Sequence, residues 1–259
     1  MIFDTHTHYD DHRFDEDREE VLSSLSSFGV KRICNIAADM ESVGTTLQLA
    51  HRYDFVYAAL GVHPDGIAEL TEDDMARLKE LLKDPKAVAV GEIGLDYYYD
   101  DGLPHDLQKR WFERQLELSL ETDKPVVIHS RDAAQDTFEI LKSLKTGDGA
   151  GIMHCFSYPK EMARRFLDLG YYIALGGVVT FKNARVAKEV AAYVPEDRLL
   201  LETDCPYMAP VPFRGKRNSS AFLPYVVAEI AAIRGITEER LMEKTFENAN
   251  RLFRIEAEG

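Results

Sequence analysis

The sequence contains little cysteine: three residues, Cys34, Cys155 and Cys205, in a chain of 259. An odd number of thiols in a chain of this length argues against a disulfide-stapled scaffold, because such scaffolds are short and dense in paired cysteines. Cys155 and Cys205 each follow a candidate metal ligand, and strand alternation predicts that they point away from it into buried packing. We expect free thiols and a reducing, cytoplasmic environment.

Long apolar runs are also missing. No run approaches the roughly 18 residues of a membrane helix, and the N-terminus shows no basic segment followed by an apolar stretch. No Gly-x-Gly-x-x-Gly follows the first apolar run, which removes the main sequence argument for a dinucleotide-binding fold. We therefore expect an unprocessed protein with no membrane association.

Positive charge is scarce as well. The chain has 31 Lys and Arg against 45 Asp and Glu, a formal net charge of -14. This balance disfavours broad binding along a nucleic-acid duplex, which depends on many basic contacts to phosphates. Divalent cations held by carboxylates would still make one site locally positive. The charge therefore favours engaging DNA strand ends as substrate over coating a duplex. We infer no obligate protein partner from the sequence.

Short apolar runs alternate with amphipathic segments along the whole chain. The runs are apolar on both faces, which is typical of parallel strands covered by helices. Helical periodicity is clearest in Asp15 to Phe28 and in Glu72 to Lys83. The predicted strands are Ile2 to Asp4, Arg32 to Ala37, Phe55 to Val62, Ala87 to Ile93, Val126 to His129, Gly151 to His154, Tyr171 to Gly176 and Leu199 to Glu202.

The pattern predicts a single-domain α/β fold, the (β/α)8 TIM barrel, over residues 1–259. A barrel of this kind uses about 250 residues. Candidate ligands lie on both the first and the last predicted strand, and only a closed barrel makes those two strands neighbours. An open doubly wound sheet would keep them apart.

Histidines and carboxylates recur at the C-terminal ends of the predicted strands, the rim where barrels of this type place their active sites. His6 and His8 are two residues apart, so on a strand they share a face and can chelate one cation. Imidazole with carboxylate suits zinc or manganese, and magnesium if waters complete its shell. The predicted metal ligands are His6, His8, Glu92, His129, His154 and Asp204.

Three carboxylates are candidates for the chemistry. Glu92 lies between glycines on an apolar strand, where its two oxygens could bridge two cations about 4 Å apart, the spacing that serves phosphoryl hydrolysis. Asp204, nearer the rim, is the candidate ligand that also takes the proton of the nucleophilic water. Glu202 shares its face and would orient a histidine ligand. Structural salt bridges are the alternative for Glu92 and Glu202.

Four further residues are candidates for substrate binding. His63 ends the third predicted strand and could contact a phosphate or hydrogen-bond a metal-bound water; Arg131 lies on the face of His129 and could hold a phosphate oxygen. Arg214 and Lys216 belong to a basic loop just beyond Asp204 in an otherwise acidic chain, a position that favours phosphate binding. A structural role for His63, a salt bridge of Arg131 and a solvated basic loop are the alternatives.

The motifs occur in a specific order. They are Asp4-Thr5-His6-Thr7-His8, Gly61-Val62-His63-Pro64, Gly91-Glu92-Ile93-Gly94-Leu95-Asp96-Tyr97, Ile128-His129-Ser130-Arg131-Asp132-Ala133, His154-Cys155-Phe156-Ser157 and Glu202-Thr203-Asp204 with Pro206-Tyr207. As an ordered series over nearly the whole chain, they resemble the TatD family of metal-dependent deoxyribonucleases, within the amidohydrolase-like hydrolases. Two departures are visible: Tyr158 stands where a glycine often follows, and Asn218-Ser219-Ser220 lacks the usual proline.

The resemblance implies a (β/α)8 barrel in which the six predicted ligands hold two divalent metal ions with Glu92 as the bridge. It also implies hydrolysis of DNA phosphodiesters by a metal-activated hydroxide, commonly from the 3′ end of a strand. Two other functions stay open on the residues alone. The same site could hydrolyse an amide, lactone or acyl ester, or the chain could be a non-catalytic metal-dependent binding module.

Overall fold

The computed structural model describes residues 1–99, 102–144 and 151–256. Strands and helices alternate from the first residues to the last strand. The strands are β1 (Ile2–Thr7), β2 (Val30–Ile36), β3 (Val56–Ala59), β4 (Ala87–Asp96), β5 (Val126–Arg131), β6 (Gly151–Met153), β7 (Tyr172–Leu175) and β8 (Leu199–Leu201). The helices are α1 (Arg18–Ser24), α2 (Met40–Arg52), α3 (Glu72–Leu81), α4 (His105–Thr122), α5 (Ala134–Ser143), α6 (Lys160–Asp168), α7 (Arg185–Tyr193), α8 (Leu223–Arg234) and α9 (Glu238–Phe253).

The strands form one parallel sheet in the order β1 to β8, which curls into a nearly closed barrel and confirms the predicted fold. The last gap is bridged at the rim, where Thr7 pairs with Cys205 in parallel. There the backbone N–H of Asp204 donates to the carbonyl of His6 at 3.0 Å, and that of His8 donates to Cys205 at 2.8 Å. Barrel closure therefore joins two predicted ligand segments that are far apart in sequence.

All eight predicted strands are present, but several end elsewhere. β1 continues to Thr7 and β4 to Asp96, so Glu92 lies inside its strand and not at the strand end as predicted. β6 and β8 stop at Met153 and Leu201, which places their ligands in the first turns of the loops. The sequence misses these ends because every run is apolar on both faces, so its hydrophobicity does not mark where pairing stops.

The helix predictions are confirmed in place, with one correction. α3 begins with a capping box in which Thr71 accepts from the Asp74 backbone and Asp74 accepts from the Thr71 backbone. The predicted helix from Asp15 to Phe28 is α1 followed by a 3-10 turn over Leu25–Phe28. That turn ends at Gly29 with a left-handed φ of 79°, a conformation that glycine adopts without steric cost.

The strands separate two apolar cores. One core lies between the barrel and the outer helices. The other fills the interior of the barrel, where Phe3, Val127 and Leu200 are among the inward-facing side chains. α9 closes the N-terminal end of the barrel, because the ring of Phe253 packs against Phe3 at 5.5 Å between centroids. The C-terminal end of the barrel, opposite α9, remains open for the site.

Within the described residues no single helix is long and apolar enough to cross a membrane. The segments Ser220–Arg234 and Glu238–Phe253, which contain α8 and α9, reach the required length and hydropathy only when taken together, and they are bent by 108° relative to each other.

Candidate metal centre

His6 and His8 leave β1 on the same side, as their spacing predicts. Their Nε2 atoms are 3.0 Å apart. The Nε2 of His6 is 3.4 Å from Glu92 Oε2 and 3.8 Å from Asp204 Oδ1, while that of His8 is 3.6 Å from the same Asp204 oxygen. Two imidazoles and two carboxylates thus converge on one point between β1, β4 and β8.

Glu92 presents its two oxygens to different histidines. Its Oε1 lies 2.8 Å from His129 Nδ1 and 3.7 Å from His154 Nε2, whereas its Oε2 faces His6. The ligand atoms of His6, His8 and Glu92 all lie within 4.8 Å of one another, and so do those of Glu92, His129 and His154. The structure therefore assembles two ligand groups that share one carboxylate, the arrangement that the sequence predicts.

Three of the four histidines are oriented by a hydrogen-bond acceptor on the ring nitrogen that faces away from the centre. His8 Nδ1 donates to the carbonyl of Ile36 at 2.9 Å, and His154 Nδ1 to Glu202 Oε2 at 2.9 Å. His129 Nε2 donates to Asp96 Oδ2 at 3.0 Å. These partners fix which nitrogen keeps its proton and leave the other nitrogen of each ring to bind a cation.

His6 is the exception, and it supports a cation at the centre. Its side chain is 1% exposed, and its Nδ1 is a buried side-chain atom for which no hydrogen-bond partner exists among the described residues. Its Nε2 faces the Nε2 of His8, which is unprotonated in the tautomer that donates to Ile36. Converging nitrogen lone pairs and carboxylates are a poor hydrogen-bond set but a suitable one for a divalent metal ion.

The charges of the centre are strongly coupled. Burial opposes ionisation of Glu92, but the neighbouring His6, His154 and His129 hold its pKa well below the usual range. Burial also opposes protonation of His154, yet Glu202 and Glu92 raise its pKa to about 10. Without a cation, positive charge in this pocket is therefore supplied by protonated histidines.

A family model described as TatD related DNase matches residues 3–254. The chain belongs to this TatD family. The metal-dependent hydrolase YabD of Bacillus subtilis is 44% identical over 98% of this chain and 100% of its own length. The metal-dependent hydrolase YcfH of Escherichia coli K12 is 38% identical over 99% of this chain and 97% of its own.

The fold agrees with a solved member of the family. The crystal structure of YjjV, a TatD homologue of Escherichia coli K12, superposes with a TM-score of 0.93 at 33% identity and covers 98% of both chains. This TatD chain is thus a metal-dependent hydrolase with a TIM-barrel fold.

Sequence reasoning overlooks two residues of this TatD centre. Asp96 is one of them: strand alternation from Glu92 through Gly94 puts it on the same face as Glu92. A side chain at Gly94 would lie 1.9 Å from the carbonyl oxygen of His129, so glycine allows β4 to approach β5 closely enough for the contact between Asp96 and His129.

Asp4 is the second overlooked residue. It is fully buried, and burial raises its pKa to about 7 against hydrogen bonds that favour the carboxylate. It accepts from the backbone and hydroxyl of Thr203 at 2.9 and 2.7 Å and from the Ser220 hydroxyl at 2.6 Å. Asp4 thereby fastens the segment that carries Asp204 to β1. The sequence feature that indicates this position is the spacing of two residues from Asp4 to His6 and from His6 to His8, which places all three on one face of β1.

One prediction about the thiols is wrong. Cys155 does not point into buried packing: it is partly exposed and lines the cavity above the centre, with its Sγ near His154 and Asp204. The reason is local, since β6 ends at Met153 and Cys155 adopts a left-handed φ of 44°, so strand alternation no longer applies. Cys205 is fully buried as predicted, and the described cysteines are free thiols.

The four predicted substrate-binding residues all line a cavity of about 1520 Å³ over the centre. Burial lowers the pKa of His63 to about 4, and its Nδ1 accepts from the Asp65 backbone at 3.2 Å, so its Nε2 is a donor. The Arg131 guanidinium lies 3.6 Å from the ring centroid of Tyr98, and no carboxylate within the described residues forms the salt bridge considered as an alternative. Arg214 and Lys216 occupy the loop beyond β8.

The two departures from the family pattern have structural roles. The Tyr158 hydroxyl contacts the Ser130 hydroxyl at 3.0 Å and accepts from the Ala133 backbone at 3.1 Å, which ties the loop after β6 to the loop after β5. Ser220 supplies the hydroxyl that donates to Asp4. Both residues therefore brace loops at the rim and do not enter the ligand groups.

Proposed function

We propose that the chain is a deoxyribonuclease that removes nucleotides from the 3′ ends of single-stranded DNA with two divalent metal ions. The observation that carries the proposal is Glu92, whose two oxygens face two separate histidine groups beneath a cavity with basic residues on its rim. The family model, whose description names a DNase, supports the same substrate class.

Each residue has a role that follows from its position. His6, His8 and Asp204 would hold one cation, His129 and His154 the other, and Glu92 both. Two divalent ions supply Lewis-acid activation of water and charge neutralisation at the phosphate. Burial disfavours the Asp204 carboxylate, but contacts with His8, His154 and His6 lower its pKa, so it is ionised and can accept the proton of the attacking water.

Glu202 and Asp96 act through the histidines. They accept the N–H of His154 and His129 respectively and so aim the opposite nitrogen of each ring into the centre. His63 donates from Nε2, and Arg131 is held against an aromatic ring with its charge unpaired by any described carboxylate; both suit the non-bridging oxygens of a phosphodiester.

The test is degradation of end-labelled single-stranded DNA by metal-free protein reconstituted in turn with magnesium, manganese and zinc. We expect loss of the 3′ label first, and loss of all cleavage in the Asp204→Ala and Glu92→Ala variants. A metal-loaded Asp204→Ala protein that cleaves at the wild-type rate would contradict the role of Asp204. Turnover of lactones or N-acyl compounds with intact DNA would show that the site attacks carbonyl carbon instead.

A further inference from the structure

Among the described residues that line the cavity outside the metal centre, the charged side chains are separated by sign. Acidic side chains follow the first three strands, and basic ones follow β5, β7 and β8. The acidic half consists of Asp10, Asp11, Asp39, Glu41 and Asp65, and the basic half of Arg131, Arg185, Arg214 and Lys216. The carboxylates of the metal centre itself lie on the floor between them.

Most of these charges are not neutralised by neighbours. Asp39 and Glu41 are exposed, and in the described parts of the chain neither has a lysine or arginine within ion-pair distance. The same holds for Arg214 and Lys216, whose described contacts are with the rings of Phe181 and Phe213. Within the two halves, Asp11 pairs with Arg13 and Arg185 with Glu189. Asp65 lies 3.5 Å from His63 Nδ1, but that nitrogen accepts from the Asp65 backbone and the ring is neutral, so it leaves the charge of Asp65 in place.

The barrel sets parts of these halves against each other. With the strands in ring order and β8 closed onto β1, β3 lies opposite β7 and β1 opposite β5, whereas β8 adjoins β1 and lies three strands from β3. A polyanion that crosses the centre from the loops after β7 and β8 would therefore meet attraction on one side and repulsion on the other. Such a field is focused in a cavity with low-dielectric walls.

Building on the proposed deoxyribonuclease activity, we propose that the acidic half is a stop that makes the enzyme specific for strand ends. The strand lies along the basic half, where Arg214 and Lys216 hold phosphates on the retained side of the scissile bond. Beyond the centre, Asp39, Glu41 and Asp65 repel any further phosphate. Only a terminal deoxynucleoside fits there, because it carries a 3′ hydroxyl group that can donate to a carboxylate and no additional charge.

A closed circular single strand tests this stop, since it has no terminal nucleoside. The variant carries Asp39→Asn, Glu41→Gln and Asp65→Asn; asparagine at position 39 keeps the oxygen that caps α2 by accepting from Ser42. The rates of cleavage of the circle and of a linear strand of the same sequence are each divided by the rate of hydrolysis of bis(p-nitrophenyl) phosphate. This small substrate measures the activity of the metal centre without contacts to a DNA strand. At a factor of about two to three for each of the three carboxylates, we expect the normalised cleavage of the circle to rise about 8- to 27-fold.

The matched control removes the same charge elsewhere. Glu113→Gln, Glu161→Gln and Glu243→Gln neutralise three exposed carboxylates on outer helices that have no ion pair among the described residues. An equal rise of circle cleavage in this control would overturn the proposal, because net charge alone would then explain it. So would a neutralised stop that leaves the circle intact, or a wild-type protein that cuts circle and linear strand equally.

The basic half gives an independent readout. Arg214→Ala with Lys216→Ala should raise the KM for a linear oligonucleotide and weaken its dependence on salt, because fewer counterions are released. An unchanged KM and salt dependence would remove the basic half as the path of the strand. Wild-type protein that hydrolyses bis(p-nitrophenyl) phosphate but no DNA would instead reject the proposed function.

Discussion

Glu202→Gln tests how much metal binding depends on the orientation of the candidate ligand His154, because it leaves every candidate ligand in place. Glu202 is 1% exposed and accepts two hydrogen bonds, from His154 Nδ1 at 2.9 Å and from the Cys155 backbone at 2.6 Å. Glutamine has the same shape but one acceptor oxygen, and its amide nitrogen can only donate. One of the two buried donors must therefore lose its partner.

The size of the effect follows from that loss. A buried donor without a partner costs about 1–3 kcal/mol, which for a chain of this length lowers the melting temperature by about 2–4 °C per kcal/mol. If glutamine keeps the bond to Cys155, its amide turns a hydrogen towards His154 and favours the tautomer whose proton is on Nε2, the nitrogen that faces Glu92. Removing such an orienting partner lowers metal affinity about 10- to 100-fold.

The assay is metal competition against a chromogenic chelator, with thermal unfolding of the same samples with and without metal. Glu196→Gln is the matched control, because Glu196 pairs with Arg240 on the surface and a pair of this kind contributes little. We expect the control to match wild type in affinity. Glu202→Gln protein that binds metal within about twofold of wild type would refute the orienting role, whatever its stability.

Three further outcomes follow from the structure. Asp96→Ala should lower metal affinity about tenfold, while Asp96→Asn, which keeps an acceptor for His129, should restore most of it; equal losses would mean that charge and not orientation matters. Metal binding at pH 7 should release protons, which calorimetry in two buffers would measure. Burial lowers the pKa of His129 and His154, but neighbouring carboxylates outweigh it and raise these pKa values to about 9 and about 10, so both rings are protonated until a metal binds. Metal affinity should therefore rise with pH, and an affinity that does not change with pH would contradict this. Tyr158→Phe should cost about 1–2 kcal/mol in urea unfolding, because the Ala133 N–H loses its acceptor; an unchanged midpoint would exclude the brace.

Period-two spacing is sufficient to place His6 and His8 on one side of a strand, and the same rule places Asp4 with them and Asp96 with Glu92. It fails at Cys155, where the chain has already left β6 and turns through a left-handed residue. Such a turn depends on where strand pairing stops, and pairing is a contact with the neighbouring strand. Local pattern therefore locates a side chain only while its strand lasts.

The sequence by itself determined the residue types, their order at the ends of eight apolar runs and thus the barrel, because alternation and hydrophobicity are local properties. Only the tertiary structure decided how these residues meet. Barrel closure brings the His6 backbone to Asp204, and β4 sets Glu92 between two histidine groups. The separation of charge around the cavity likewise arises from strand order, since loops that alternate along the chain become neighbours or opposites only once the ring is closed.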